Sequence, residues 1–530
     1  MPHVLQRLPL TQPALSIICT AGPSIYETEV VNGICRIKTS RLRELLEVGM
    51  RVVRINFSHV QQRDYEKIRC LISHIRELER ETSQPIPILM DLQGPEIRVV
   101  EILDRNLKSL PHMRSIRIRQ GQKLEVSTPT DAAKPLDRRA LNRLVVTFEG
   151  DLYPQMVDGE TLVMGDNELS LRILEKVAGG VLCLTENRGM LKIKKGLNLP
   201  NRGKLEAPIL VENDKKSLNE GFDIDLIAQS FVRNHTDVAE LQGYLDGTPL
   251  RNKPIIAKIE TPSAVGDIDA ILQIRDIFGV MVARGDLGVL ADYTEIPQLQ
   301  EKLINSANRV GKPVIVATQM LESMVERPRP WRPEVQDIST AIKEGADALM
   351  LSEETAIGKF PKETVSVMAA VINKNMPIDD KEYVKKFKGK YAVPNPGRPI
   401  DVLGFAICEV ANEAGSPFIL SYATTGISAT LISRFRPKMP VITITNKQDT
   451  ARKLCLLYNV YPVLVNEKEL PREPRKFIKF LREIVAELEL STHIKRGSTA
   501  SSSVFLVGTQ ELTKVVIGGG KAQGIFVFEP

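Results

Sequence analysis

Two short stretches of this 530-residue chain place reactive side chains close together: "KIE", with Lys258 and Glu260, and "ARGDLG", with Arg284, Gly285 and Asp286. Residues two apart in a strand share a face, so Lys258 and Glu260 point the same way. Glu260 and Asp286 offer the paired carboxylates that suit an oxygen-loving divalent cation such as Mg²⁺. The glycines let backbone approach a ligand, and the amides of Gly285 and Asp286, opening a helix, suit a small carboxylate. The plainer reading is an ion pair between Lys258 and one of the acids. An adhesion role for Arg-Gly-Asp is disfavoured, because here the tripeptide closes a buried apolar run.

A second group lies upstream. "RINFSH" supplies Arg54, Asn56 and Ser58 with a period of two, followed by His59. "ILMDLQGPEIRV" begins as a buried strand yet carries Asp91, Glu96 and Arg98, charges that need partners or a use. Amide, hydroxyl and carboxylate oxygens without sulfur suit a hard cation, and Arg54 suits a phosphoryl oxygen. A polar cluster capping the fold is the alternative. Thr318 with Gln319, and Ser352 with Glu353 and Glu354, close two further apolar runs. Their hydroxyls are candidates for substrate hydrogen bonds or proton relay, against the commoner bond to local backbone.

Such residues need strands to hold them. Apolar runs at 15–22, 51–58, 85–92, 223–232, 253–260, 278–286, 312–320 and 347–354 alternate with helix-length amphipathic stretches. Strand then helix, repeated eight times, predicts a (β/α)₈ barrel with its chemistry at the C-terminal strand ends. An open doubly wound sheet is the competing layout. Residues 1–100 and 204–380 form the barrel in this reading. Residues 101–203, with runs such as "SIRIRQGQKLEVST" and "ETLVMGDNELSLRIL", alternate apolar and polar and read as an inserted β-rich domain, placed to act as a lid. Beyond a charged, Pro/Gly-containing linker, residues 381–530 read as a separate C-terminal α/β domain.

The bulk composition narrows the function. A hydrophobic fraction of 43% with 26% charged residues describes an ordinary globular chain. Its +6 net charge is small beside 71 basic and 65 acidic residues, interleaved, with 5% aromatics, which argues against a nucleic-acid binder. Six scattered cysteines form no CxxC pair, so neither zinc nor a disulfide framework is expected, and a reducing compartment fits. The N-terminus has no signal-peptide core, and no apolar run reaches membrane-spanning length, so a cytoplasmic protein without membrane attachment is expected.

"IICTAGPS" (17–24), "RINFSH" (54–59), "DLQGPEIR" (91–98), "KKGLNLP" (194–200), "IAKIE" (256–260), "MVARGDLG" (281–288), "ATQMLESM…RPRP" (317–330) and "MLSEETAIGKFP" (350–361) together closely resemble the pyruvate kinase family. The resemblance implies a barrel, an inserted lid and a C-terminal domain, and transfer of the phosphoryl group of phosphoenolpyruvate to ADP to give pyruvate and ATP. It implies that Glu260 and Asp286 hold Mg²⁺ (or Mn²⁺), that Lys258 stabilises charge on the phosphoryl group and enolate, and that Arg54 contacts the phosphoryl group. Gly285 and Asp286 amides with Thr318 would hold the carboxylate, with Thr318 and Ser352 in enolate protonation. Asn56, Ser58, Asp91 and the Leu92 carbonyl match monovalent-cation ligands; His59, Arg98 and Lys195 match nucleotide contacts. A homotetramer is implied as well.

The chain departs from the family pattern at several points. Glu353 stands where glycine is usual, Trp331, Pro333 and Thr340 replace the usual Thr, Ala and Asn, and the lid keeps Asp166 without its acidic neighbour. Leu92 and Gln93 follow the pattern of K⁺-independent members, whereas Glu96 follows the K⁺-dependent one. A lysine at 96 would supply the ion's charge and Glu96 does not, so K⁺ activation is expected. In the C-terminal domain, "ATTGIS" keeps Thr424, Thr425 and Ser428 but has Ile427 where fructose 1,6-bisphosphate-activated members have arginine. Another phosphorylated effector, or none, is the expectation. A Mg²⁺-dependent 2-oxo-acid lyase and a non-catalytic regulatory homologue are the rival readings.

Overall fold

Parallel pairing of short, β-branched strands closes on itself in the computed structural model. The barrel strands are Ser16–Thr20, Met50–Asn56, Ile88–Asp91, Leu226–Val232, Ile255–Ile259, Ile277–Ala283, Val314–Ala317 and Ala348–Leu351, each paired to the next. The first also pairs with the eighth, Ser16 opposite Ala348, which excludes the open sheet. The structure describes residues 12–31, 34–95, 97–109, 115–146, 156–165, 168–193, 196–198, 208–376, 399–413, 416, 418–467, 470, 476, 480, 483–484 and 505–508.

Alternation along each strand divides the core in two. Ile18, Val52, Leu89, Ile256, Met281, Ile315 and Met350 fill the barrel interior. Ile17, Cys19, Val53, Ile88, Ile255, Val280 and Leu349 belong to the larger cluster that includes the surrounding helices. A strand buried on both faces therefore reads as a continuous apolar run.

The first crossover contains more than a helix. A hairpin, Tyr26–Val31 with Ile34–Ser40, precedes the six-residue helix Leu42–Glu47. The alternation expected to continue to Ser58 stops at Asn56, whose Oδ1 accepts the Ser58 N–H 3.1 Å away and caps a 3₁₀ turn over Phe57–His59. Arg54 and Asn56 share a strand face, but Ser58 stands on a turn.

The inserted β-rich domain is a seven-stranded mixed sheet running from Val99–Leu103 at one edge to Leu197–Asn198 at the other, with a separate pair, Ser115–Ile118 and Gly189–Lys192. The C-terminal unit is a parallel sheet ordered Val460–Leu464, Val441–Thr445, Ile419–Tyr422, Phe505–Gly508, with helices Pro399–Glu413, Ile427–Ser433 and Gln448–Leu454. It packs at the strand-start end of the barrel. Leu456 joins the interior cluster from below, and Arg51, near the start of the second strand, donates to the Val460 carbonyl. No helix among the described residues is long and apolar enough to cross a membrane.

Candidate active site

Lys258 stands at the centre of the opposite end of the barrel. Its Nζ lies 3.1 Å from Asp91 Oδ1, 3.0 Å from Glu260 Oε1 and 2.7 Å from Ser230 Oγ. Burial works to lower its pKa, but the Asp91 and Glu260 carboxylates outweigh it and hold the ammonium well above its ordinary range. Asp91, fully buried, is pushed up by burial and pulled further down by Lys258 and Arg54, so it stays ionised. Arg54 donates from Nε to Asp91 Oδ2 at 2.7 Å and from Nη1 to Thr20 Oγ1 at 2.9 Å. The ion pair of Lys258 with an acid is therefore present, and it includes three strand ends rather than two residues.

Glu260, 1% exposed, is fixed by one oxygen: Oε2 accepts the Phe231 N–H at 2.6 Å. Phe231 has φ +54°, within a bulge between Gln229 and Val232 of the fourth strand. A bulky residue in the left-handed region costs of order 1–3 kcal/mol and persists where surrounding structure demands it. Here it aims an amide at the carboxylate. Oε1 of Glu260 is buried and meets the Lys258 ammonium at 3.0 Å. Asp286, in the helix Arg284–Leu290, is near enough to act on the same ammonium. Two carboxylates, one of them with an oxygen that takes no backbone hydrogen bond and faces a cation already, fit Mg²⁺, which prefers few protein carboxylates and takes its remaining positions from substrate and water. Among the described residues no group of three or more His, Cys, Asp and Glu gathers to form an all-protein cage.

The neighbouring strand ends are tied to one another. Gly285 N–H donates to Thr318 Oγ1 at 2.8 Å, and Thr318 Oγ1 donates to the Ala317 carbonyl at 2.6 Å. Thr318 and Gln319 both adopt positive φ, +70° and +55°. A side chain at Gly285 would fill the space in front of Thr318. Arg284 holds the turn from outside, bonding both Asp337 oxygens at 2.8 and 2.7 Å and the Thr318 carbonyl at 2.6 Å. A cavity of about 340 Å³ opens between Arg284, Gly285, Tyr293, Gln319 and Asp337. Ser352 Oγ is buried with no hydrogen-bond partner, and Glu354 accepts both the Ser352 and Leu321 N–H groups. Glu353 is exposed.

At the second and third strand ends the register sets Asn56 beside Asp91. Asn56 Oδ1, Ser58, Asp91 and the Leu92 carbonyl make an all-oxygen set that fits a monovalent cation. Ser230 Oγ donates to that carbonyl at 2.6 Å. His59 is exposed, and Arg98 bridges Gly196 in antiparallel fashion. Lys195, Glu96 and Asp166 lie outside the described residues. In the C-terminal loop Thr425 is exposed at Gly426 (φ +89°), whereas Thr424 gives its carbonyl to Thr450 Oγ1 at 2.6 Å. Ser428 departs from the effector reading. Its place in the first helical turn directs it inward, 4% exposed, to Ser421 Oγ at 3.2 Å.

Ser230, Phe231 and Asp214 escaped sequence reasoning. Asp214, in the helix Glu212–Asn219, is completely buried and accepts the Gln93 and Gly94 N–H groups at 2.8 and 2.9 Å. In sequence it is one charge in "VENDKKS", and nothing there announces burial.

A family model described as "Pyruvate kinase, barrel domain" matches residues 12–365, and one described as "Pyruvate kinase, alpha/beta domain" matches 401–513. Pyruvate kinase 2 of Synechocystis sp. is 34% identical over 511 residues, covering 94% of this chain and 78% of the relative. The pyruvate kinase of Geobacillus stearothermophilus is 35% identical, over 84% of this chain and 70% of its own. That of Clostridium acetobutylicum is 31% identical, over 84% and 88%. These names support neither the lyase nor the regulatory-homologue reading.

Proposed function

The chain belongs to the pyruvate kinase family of glycolytic phosphotransferases, which pass the phosphoryl group of phosphoenolpyruvate to ADP, and on that premise we propose how its own residues divide the work. Lys258 and Arg54 neutralise the transferring phosphoryl group, and Lys258 also steadies the enolate left behind. Phosphoryl transfer is mostly positioning and charge neutralisation, which accounts for a permanently charged lysine held by two buried acids. The Gly285 and Asp286 amides with Thr318 seat the substrate carboxylate. The unpartnered Ser352 hydroxyl and Thr318 are the proton-relay groups for enolate to pyruvate. His59, Arg98 and Lys195 receive the nucleotide, with the inserted domain closing above it.

Glu260 and Asp286 would hold Mg²⁺ or Mn²⁺, which when bound withdraws charge from phosphoryl and enolate oxygens. Asn56, Ser58, Asp91 and the Leu92 carbonyl would hold K⁺, which supplies positive charge that Glu96 does not. Equal rates in K⁺ and in a bulky organic cation at matched ionic strength would refute that part. The reading also takes the chain as a cytoplasmic homotetramer, supported by family membership and testable by light scattering. An effector at Thr424 and Thr425 is proposed without Ser428.

The observation that carries the proposal is the Lys258 ammonium, bonded at once to Asp91, Glu260 and Ser230. Coupling ADP-dependent pyruvate formation to NADH oxidation tests it. Absence of pyruvate from phosphoenolpyruvate and ADP, with Mg²⁺ and K⁺ supplied, overturns it.

A further inference from the structure

Two buried hydroxyls stand beside the two cations that meet at Asp91. Ser230 Oγ accepts from Lys258 Nζ at 2.7 Å and donates to the Leu92 carbonyl at 2.6 Å, with Asp91 Oδ1 farther off at 3.3 Å. Thr20 Oγ1 accepts from Arg54 Nη1 at 2.9 Å and donates to the Leu351 carbonyl at 2.8 Å. A hydroxyl has one hydrogen and two lone pairs, so an oxygen whose hydrogen goes to a strand-end carbonyl can only accept from the cation beside it. Such a bond orients an ammonium or guanidinium without cancelling its charge, which a further carboxylate would do. The backbone builds both arrangements. Ser230 sits in the bulge before Phe231, against Gly94 (φ +68°), where a Cβ would come within 2.8 Å of the Ser230 Cβ. Thr20 ends the first strand, its N–H donating to Thr355 Oγ1 at 3.0 Å and its carbonyl accepting from that hydroxyl at 3.1 Å.

Resting on phosphoryl transfer at this site, we infer that Ser230 and Thr20 are positioning residues: Ser230 fixes the Lys258 ammonium, and Thr20 fixes the plane of the Arg54 guanidinium. Neither hydroxyl reacts, and each acts through its cation. Asp91 attracts both cations, with Arg54 Nε at 2.7 Å and Lys258 Nζ at 3.1 Å. Attraction to one carboxylate draws the two together without setting where each charge rests. The hydroxyls set it, each from a different strand end, and the carbonyls of Leu92 and Leu351 hold the hydroxyls. Displacing a reacting or stabilising group by about 1 Å costs on the order of 100-fold in rate, so loss of either oxygen falls on turnover.

Ser230→Ala and Thr20→Val remove the oxygens, whereas Thr20→Ser keeps the hydroxyl. Steady-state kcat is measured well below the melting temperature, on variants whose melting curves show them folded. The expected result is a fall of about 10–100-fold for Ser230→Ala and for Thr20→Val, with near-normal turnover in Thr20→Ser. Double-mutant cycles separate positioning from a general loosening of the barrel end. Added to Lys258→Met, Ser230→Ala should lower kcat by no more than about twofold, because the group it positions is gone, and Thr20→Val should behave likewise in Arg54→Gln. If one position does not tolerate substitution, the cycle at the other decides. Wild-type turnover is measured first, and its absence overturns the phosphotransfer reading and this assignment with it. With an active wild type, three results overturn the positioning role alone: normal kcat in either single variant, equal losses in Thr20→Ser and Thr20→Val, or full multiplication of the losses in the double variants.

Discussion

At the scale of single residues, charge and burial set the roles. Lys258 is the one ammonium shared by Asp91 and Glu260, and Lys258→Met keeps its length while removing that charge. We expect kcat to fall about 10³-fold, the size of effect found when one preorganised stabiliser of transition-state charge is lost. Steady-state kinetics on protein whose melting curve shows it folded checks this, and near-normal turnover would contradict the role. Asp214 makes a different prediction. Burial first, opposed by the Gln93, Gly94 and Val211 amides and aided by the Asp91 charge, lifts its carboxyl from 3.8 to about 6. A folded-state pKa above the unfolded value means that the folded protein holds the extra proton between pH 3.8 and 6. The stability this contributes is complete below about 3.8 and lost as pH rises through about 6, by about 3 kcal/mol. Asp214→Asn lacks the term, so its melting temperature should gain on the wild type between pH 4 and pH 7. A constant difference would count against it. Lys258 and Glu260 were legible in the sequence because a period of two survives to the strand end. Ser230 and Phe231 were not, because a bulge in an apolar run re-aims their groups and leaves no mark in residue type. Asp214 is bound through backbone amides, which any residue could supply.

At the scale of elements, the active end is a ring of strand ends joined by carboxylates that accept backbone N–H groups. Glu354 is the plainest example, accepting from Leu321 at 3.1 Å and from Ser352 at 2.7 Å, and so joining the turns after the seventh and eighth strands. Burial chiefly, opposed by amide hydrogen bonds, raises its pKa. Glu354→Ala leaves two buried donors unmatched, and a cost of about 2–4 kcal/mol follows, seen as a lower melting temperature. Because those turns also present Thr318 and Ser352, kcat should fall with it. An unchanged kcat in a destabilised variant would show that the turns hold their shape without the brace. The eight barrel strands were legible because burial on both faces makes each a continuous apolar run bounded by polar residues. The hairpin at Tyr26–Ser40 was missed within the first crossover. Its strands "YETEVV" and "ICRIKTS" are mostly polar and half exposed, a texture shared with an amphipathic helix start.

For the whole molecule, the C-terminal unit is joined to the barrel by buried charges on the face away from the active site. Arg436 Nη1 meets Asp347 Oδ1 at 2.7 Å, just ahead of the eighth strand. Arg452 donates from Nε to Glu79 Oε1 at 3.0 Å and from Nη1 to Asp225 Oδ1 at 3.1 Å. Asp225 in turn accepts the Ile88 N–H at 2.7 Å and an Arg76 bond at 2.9 Å, so the charges reach the start of the third strand. None of this could be read from sequence, since the partners lie between 89 and 373 positions apart and each looks like an ordinary surface charge. Such a network gives modest net stability when complete, because desolvation offsets attraction, yet breaking it strands the remaining charges. Arg452→Leu leaves Glu79 and Asp225 buried with Arg76 as their remaining close cation, a loss of about 3–5 kcal/mol. That loss falls on the contact between units rather than on either core. Calorimetry should therefore resolve two thermal transitions, the lower one shifted down, while pyruvate formation at moderate temperature stays near wild type. One transition at the wild-type temperature would mean that the apolar contact around Leu456 already couples the units without the charges.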